Sequence, residues 1–190
     1  MDTKTCLRDY GKLFLEKLED YPECKSDIED GRFRDVYLGL DDLVPRYAIT
    51  AIFLESDIDF LPGMGDNLYN GLFRYLDGDK VKSITLPPNI EFIRMETFDE
   101  CEVEELYIKA NIIEIEDGAF SSCRKLKKIK FDATPENVNI LGINSTQKSM
   151  LELMSKGSDT ALWALGILDT VASSDLIVEF GSGETITARS

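Results

Sequence analysis

The chain has 190 residues, 43% of them apolar and 30% charged, with 21 basic and 36 acidic side chains and a formal net charge of −15. That length suits one domain with a core of its own, or a compact domain with an appended segment, and the composition is that of a folded chain. Histidine is absent, which removes the commonest general base and the commonest transition-metal ligand, and the longest apolar run, Ala161–Leu168, is far short of the roughly 20 residues that span a bilayer.

The N-terminus, Met1-Asp2-Thr3-Lys4, lacks the basic-then-apolar pattern of a secretory signal, so the expected compartment is the cytoplasm. Cys6, Cys24, Cys101 and Cys123 are then expected as reduced thiols; none belongs to a C-x-x-C pair. Asp2 or Thr3 can N-cap a helix whose apolar stripe is Leu7, Tyr10, Phe14 and Leu18, with Pro22 just beyond its end. Residues 1–43 are expected to form a helical cap.

The middle of the chain repeats itself. Val81-Lys-Ser-Ile84-Thr-Leu86 and the residues through Ile90, Ile93, Thr97, Phe98 and Cys101 recur at an offset of 22 as Val103, Leu106, Ile108, Ile112, Ile115, Ala119, Phe120 and Cys123. Leu126, Ile129 and Phe131 restart the pattern, and Ile49, Ile52, Leu54, Ile58 and Leu61 fit its first two-thirds upstream. Leu72-Phe73 stands where Thr97-Phe98 and Ala119-Phe120 stand, after an insertion at about residues 62–71 that contains Gly63, Gly65, Asn67 and Asn70. A repeat of this length means a solenoid, in which one rung cannot bury its apolar face but three or more can, and an insertion becomes a loop on one edge. Each rung is expected as a strand, a turn and a short second segment, with about four or five rungs over residues 44–132. Phe98 and Phe120 should stack inside as a ladder, with Cys101 and Cys123 beside them.

Beyond the repeats, residues 133–190 are expected as a second cap with two helices and a final strand or hairpin. Ser145 or Thr146 is the expected N-cap of a helix through Met150, Leu151 and Met154 that ends at Gly157. Ser158 caps a second helix carrying Leu162, Leu165, Ile167 and Leu168.

The rungs resemble the BspA-type leucine-rich repeat, whose pattern runs roughly L-x-x-I-x-I-P-x-x-V-x-x-I-G-x-x-A-F-x-x-C. Pro87 stands at its proline and Ala119-Phe120 with Cys123 at its A-F-x-x-C, while Arg94 and Glu116 replace its glycine. Ile129-x-Phe131-Asp-Ala-Thr134-Pro-Glu and Ile177-Val-Glu-Phe180-Gly-Ser-Gly-Glu-Thr-Ile186 resemble the family's closing rungs, with Asn137 or Val138 in place of an expected tryptophan. The resemblance implies an α/β repeat fold: a short leucine-rich-repeat solenoid with parallel strands, capped by helices at both ends. It also implies a non-enzymatic protein–protein interaction module, and small cytoplasmic members of this kind look like accessory proteins of bacteria or their phages.

Outward strand residues of a parallel stack form columns: Lys82, Glu104 and Lys127; Ser83, Glu105 and Lys128; Phe53, Thr85, Tyr107 and Lys130. The first two columns set opposite charges side by side, which also suits register alone. The third carries aromatics of the kind that anchor partners, so Phe53, Thr85, Tyr107, Lys109 and Lys130 are the candidate partner-binding residues. Charge is uneven: residues 48–123 hold 5 basic and 16 acidic side chains, a net of −11, against −4 before them and zero after. Glu91, Glu96, Asp99, Glu100, Glu102, Glu114, Glu116 and Asp117 are expected as an acidic surface on turns and second segments. Such a field repels nucleic acid and anionic membranes and favours a basic protein partner. The surface is either a solubilising face or, as the alternative function, a nucleic-acid-mimicking inhibitor of a host nucleic-acid enzyme or defence system. No cofactor is expected: Asp57-x-Asp59 lacks the rest of a calcium loop, and Gly63-x-Gly65 is a turn signal.

Overall fold

The structure, a computed structural model, describes residues 60–61, 73, 82–86, 88, 90–109, 111–142, 146–167 and 175–188. The N-terminal segment 1–43, the strand expected around Phe53, and the insertion at about 62–71 lie outside the described residues.

The described elements run in chain order β1 (Phe60–Leu61), β2 (Ser83–Leu86), β3 (Phe92–Ile93), β4 (Glu105–Ile108), β5 (Glu114–Glu116), β6 (Lys128–Phe131), a single 3-10 turn (Pro135–Asn137), β7 (Asn139–Leu141), β8 (Gln147–Ser149), α1 (Met150–Ser155), α2 (Ser158–Ala164), β9 (Ile177–Glu179) and β10 (Thr185–Thr187). They form two five-stranded sheets, one ordered β2-β4-β6-β9-β10 and the other β1-β3-β5-β7-β8. Within each, the repeat strands are parallel, and one antiparallel strand, β10 or β8, ends the sheet. Each rung therefore contributes a strand to both sheets, and the second segment expected from the sequence is itself a strand.

Register follows the sequence offset. Ile84 pairs with Leu106 and Leu106 with Ile129; Leu61 pairs with Ile93 and Ile93 with Ile115. In a strand, side chains alternate between faces, so Ile84, Leu106 and Ile129 point inward together, as do Ile93 and Ile115, and all five are fully buried.

A third side of the stack is built from turns. Phe73 stacks on Phe98 with ring centroids 4.6 Å apart and parallel planes, and Phe98 stacks on Phe120 at 4.9 Å. The backbone runs the same ladder: the Phe73 N–H donates to the Thr97 carbonyl at 2.8 Å, and the Phe98 N–H donates to the Ala119 carbonyl at 2.9 Å. Phe73 thus occupies the place of Phe98 one rung earlier, despite the longer connection before it. Cys123 lies beside the rings, its thiol donating to the Phe98 carbonyl at 3.0 Å. Burial pushes that thiol well above its ordinary pKa, with Cys101 and Asp99 adding to the shift, and neither Cys101 nor Cys123 forms a disulfide. A buried thiol of this kind is a packing residue.

Two left-handed positions recur in each turn. Glu96 (φ 58°) and Gly118 (φ 74°) are equivalent across one rung, as are Glu100 (φ 54°) and Ser122 (φ 57°). The two positions that replace the family's glycine face one another: Arg94 Nη1 lies 2.8 Å from Glu116 Oε1, and the Met95 N–H donates to Glu116 Oε2 at 2.7 Å. The pair ties rung to rung.

The C-terminal helices differ in detail from expectation. The first begins at Met150, not at Ser145 or Thr146, and its N-cap is Ser149, whose hydroxyl accepts from the Glu152 N–H at 3.2 Å. The reason is that residues 147–149 are taken by β8, which pairs antiparallel with β7. Helix α2 ends in a Schellman motif: Gly166 N–H donates to the Trp163 carbonyl and Ile167 N–H to the Leu162 carbonyl, at 2.8 and 3.1 Å. The Leu165 carbonyl, left over at the helix end, accepts the Phe120 N–H at 3.3 Å. The end of α2 therefore takes the next place in the turn ladder after Phe120.

Two outcomes test this packing. Phe98→Ala removes a ring held between two others, and should cost about 3–5 kcal/mol in chemical denaturation. A cost below about 1 kcal/mol would show that the ladder is not a packed core. Gly118 and Gly166 share a left-handed backbone (φ 74° and 69°), but a Cβ on Gly166 would stand 2.7 Å from the Gly118 Cα, whereas one on Gly118 meets nothing within 4 Å. Gly118→Ala should cost about 1 kcal/mol of backbone strain, and Gly166→Ala at least about 2 kcal/mol more. Equal losses would mean that the helix end does not sit against this turn.

Candidate functional site

The outward face of the first sheet is where the sequence places its candidate anchors. Register sets Thr85 beside Tyr107, Tyr107 beside Lys130, and Lys130 beside Glu179. Thr85, Tyr107 and Lys130 are half-buried and Lys109, just past β4, is exposed. Phe53 lies outside the described residues. The structure thus brings Thr85, Tyr107 and Lys130 into one row and adds Glu179, a residue of the closing strand to which the sequence pattern assigns no surface role.

Most polar groups of this face hold one another. The Tyr107 hydroxyl donates to Glu105 Oε2 at 2.5 Å. Lys128 and Lys130 reach the two carboxylate oxygens of Glu179 at 3.1 and 3.3 Å. Glu104 lies between Lys127 at 2.8 Å and Lys82 at 3.4 Å. The Lys127 hydrogen bond, outweighing partial desolvation, holds the Glu104 carboxyl below its ordinary value with help from Lys82, and the hydrogen bonds of Lys128 and Lys130 do the same for Glu179. Ser83, expected to point outward in the second column, is buried. It precedes Ile84 at the start of β2, and its column is open only at Glu105 and Lys128.

The acidic surface needs one correction and one refinement. Asp99 is 6% exposed and does not belong to the solvated shell. Its turn is pressed against the next rung, with the Phe98 N–H bonded to Ala119 and the Glu100 N–H to Ser121 on either side of it. Glu116 is committed to Arg94 and the Met95 N–H, and Glu102 pairs with Lys125 at 2.9 Å. Glu91, Glu96, Glu114 and Asp117 are half-buried, while Glu100 and Glu102 are exposed.

A second concavity lies at the corner where α2 meets the turn ladder. Met95, Glu96, Asp117, Gly118, Trp163 and Gly166 line a cleft of about 310 Å³. Burial pushes the Asp117 carboxyl above its ordinary value, with the Gly118 N–H drawing it part of the way back. Neither Met95 nor Trp163 stands out in the sequence, because the two are 68 positions apart and only the docking of α2 brings them together. Among the described residues no group of His, Cys, Asp and Glu has the arrangement of a metal site, and no helix is long and apolar enough to cross a membrane.

The ion pairs give a pH test. A carboxyl whose folded pKa is lowered contributes stability above its unfolded pKa, and that contribution disappears as pH falls through the lowered value. Thermal melts of Glu179→Gln and the parent should therefore differ most near neutrality and converge on the acid side of the ordinary carboxylate range. A gap that persists or widens there would mean the Lys128–Glu179–Lys130 pairing does not operate.

Compared with known families, residues 67–158 match the BspA type leucine rich repeat region, a description built on six copies of the repeat. No curated protein and no solved structure matches the chain. The 22-residue register, the parallel strands β2 to β7 and the phenylalanine ladder lie within that match, so residues 67–158 carry the BspA-type leucine-rich repeat.

Proposed function

We propose that the chain is a non-enzymatic protein-interaction module that takes a protein partner on the outward face of its repeat strands. The observation that carries this reading is the row Thr85–Tyr107–Lys130: a half-exposed aromatic on a rigid parallel sheet, flanked by an exposed lysine at 109. An aromatic side chain fixed in this way offers contact area at little entropic cost, which is the usual character of an interface anchor. By the repeat pattern Phe53 is assigned to the same column. In this reading residues 44–132 are the binding solenoid, residues 1–43 and 133–190 cap its two ends, and the module works in the cytoplasm.

A basic partner suits the excess of acids in residues 48–123. The rival reading, a surface that mimics nucleic acid, draws less support, because Glu102 and Glu116 are held by Lys125 and Arg94 and Asp99 is buried. A mimic needs its carboxylates free and regularly spaced.

With a partner identified by using the whole chain as bait, Tyr107→Ala should leave the far-ultraviolet circular dichroism and the melting behaviour close to those of the parent. It should weaken binding by roughly thirtyfold or more, the loss of a hot-spot anchor. Unchanged affinity would remove the strand face from consideration.

A further inference from the structure

Five large apolar side chains are exposed among the described residues: Met95, Ile113, Leu151, Trp163 and Ile177. Two of them, Met95 at 44% and Trp163 at 48%, line the same cleft, and the other two groups on its wall that carry charge are the carboxylates of Glu96 and Asp117. Exposed apolar groups that converge on an acidic concavity are a different matter from the same groups scattered singly. The floor of the cleft is the close approach of Gly166 to Gly118, where neither residue has a side chain to fill the space.

We infer that this cleft is a binding site for an arginine side chain presented by a basic segment of a partner protein. Three features select that occupant. The volume, about 310 Å³, lies at the small end for ligand sites and suits one long side chain better than a drug-sized molecule. An indole beside carboxylates matches a guanidinium, which stacks on an aromatic face and forms paired hydrogen bonds to a carboxylate, while Met95 offers apolar surface to its methylene stem. Asp117 has no cation paired with it among the described residues, and its raised pKa is caused by burial with only the Gly118 N–H in opposition, so an incoming positive charge meets a carboxylate not yet compensated. The neighbouring Glu116, by contrast, is already held by Arg94. This site is separate from the strand face proposed above, and its success or failure is independent of Tyr107.

The chain contains one tryptophan, so intrinsic fluorescence reports on the cleft directly. The full-length chain is titrated with a blocked Gly-Arg-Gly-Arg-Gly peptide at low ionic strength, and with the same peptide carrying citrulline, the uncharged isostere, at both arginine positions. The expected result is a saturable change in Trp163 emission with the arginine peptide and at least about tenfold weaker binding of the citrulline peptide. Asp117→Asn, and independently Glu96→Gln, should each weaken the arginine peptide by about tenfold, while Glu184→Gln, on the β9–β10 turn and outside the cleft lining, stays within about twofold of the parent. The inference is overturned by the absence of a saturable change at millimolar peptide or by equal binding of the citrulline peptide. An equal loss in Glu184→Gln would overturn it too, since it would mean diffuse attraction to an acidic chain.

Discussion

The stacking of one turn on the next is the constraint on which the remainder of this structure depends. A rung is too small to bury its own apolar face, so Phe73, Phe98 and Phe120 are buried by stacking on one another within the core shared by all the rungs. The same geometry spaces the backbone so that each turn donates an N–H to the next, which leaves the last turn with an unsatisfied donor at Phe120. The Leu165 carbonyl accepts it. A helix end has free carbonyls by construction, and so a helix is a natural terminator for a ladder of outward-donating turns. That contact has a functional consequence: the docking of α2 sets Trp163 beside Met95 and opens the cleft over Gly118.

Much of this was legible in the sequence. The 22-residue offset set the register, and Leu72-Phe73 aligns with Thr97-Phe98 across an insertion, as the Phe73–Phe98 stack requires. Both signals are periodic, and periodicity survives loops of any length. The column of Thr85, Tyr107 and Lys130 was readable for the same reason. Phe53 and the N-terminal stripe of Leu7, Tyr10, Phe14 and Leu18 fall outside the described residues and stand as expectations.

Other features were not legible because they depend on contacts between segments of different pattern. Ser145 and Thr146 are as good N-caps as Ser149, and the choice is made by β8 claiming residues 147–149 for a sheet. Asp99 reads as a surface acid by type, yet the neighbouring turn covers it. Arg94 and Glu116 look like two separate departures from the family's glycine, whereas in space they are one ion pair between adjacent rungs. The arginine cleft needs residues from two turns and one helix, and no local spacing announces it.

Native-state hydrogen exchange of the Phe120 amide is the most direct test of the claim that α2 supplies the final place in the ladder. If it does, Phe120 should exchange with protection comparable to that of Phe98, which lies one rung deeper and donates to Ala119. If Phe120 exchanges as a frayed end, orders of magnitude faster than Phe98, then the Leu165 contact does not hold and the helix does not close the stack.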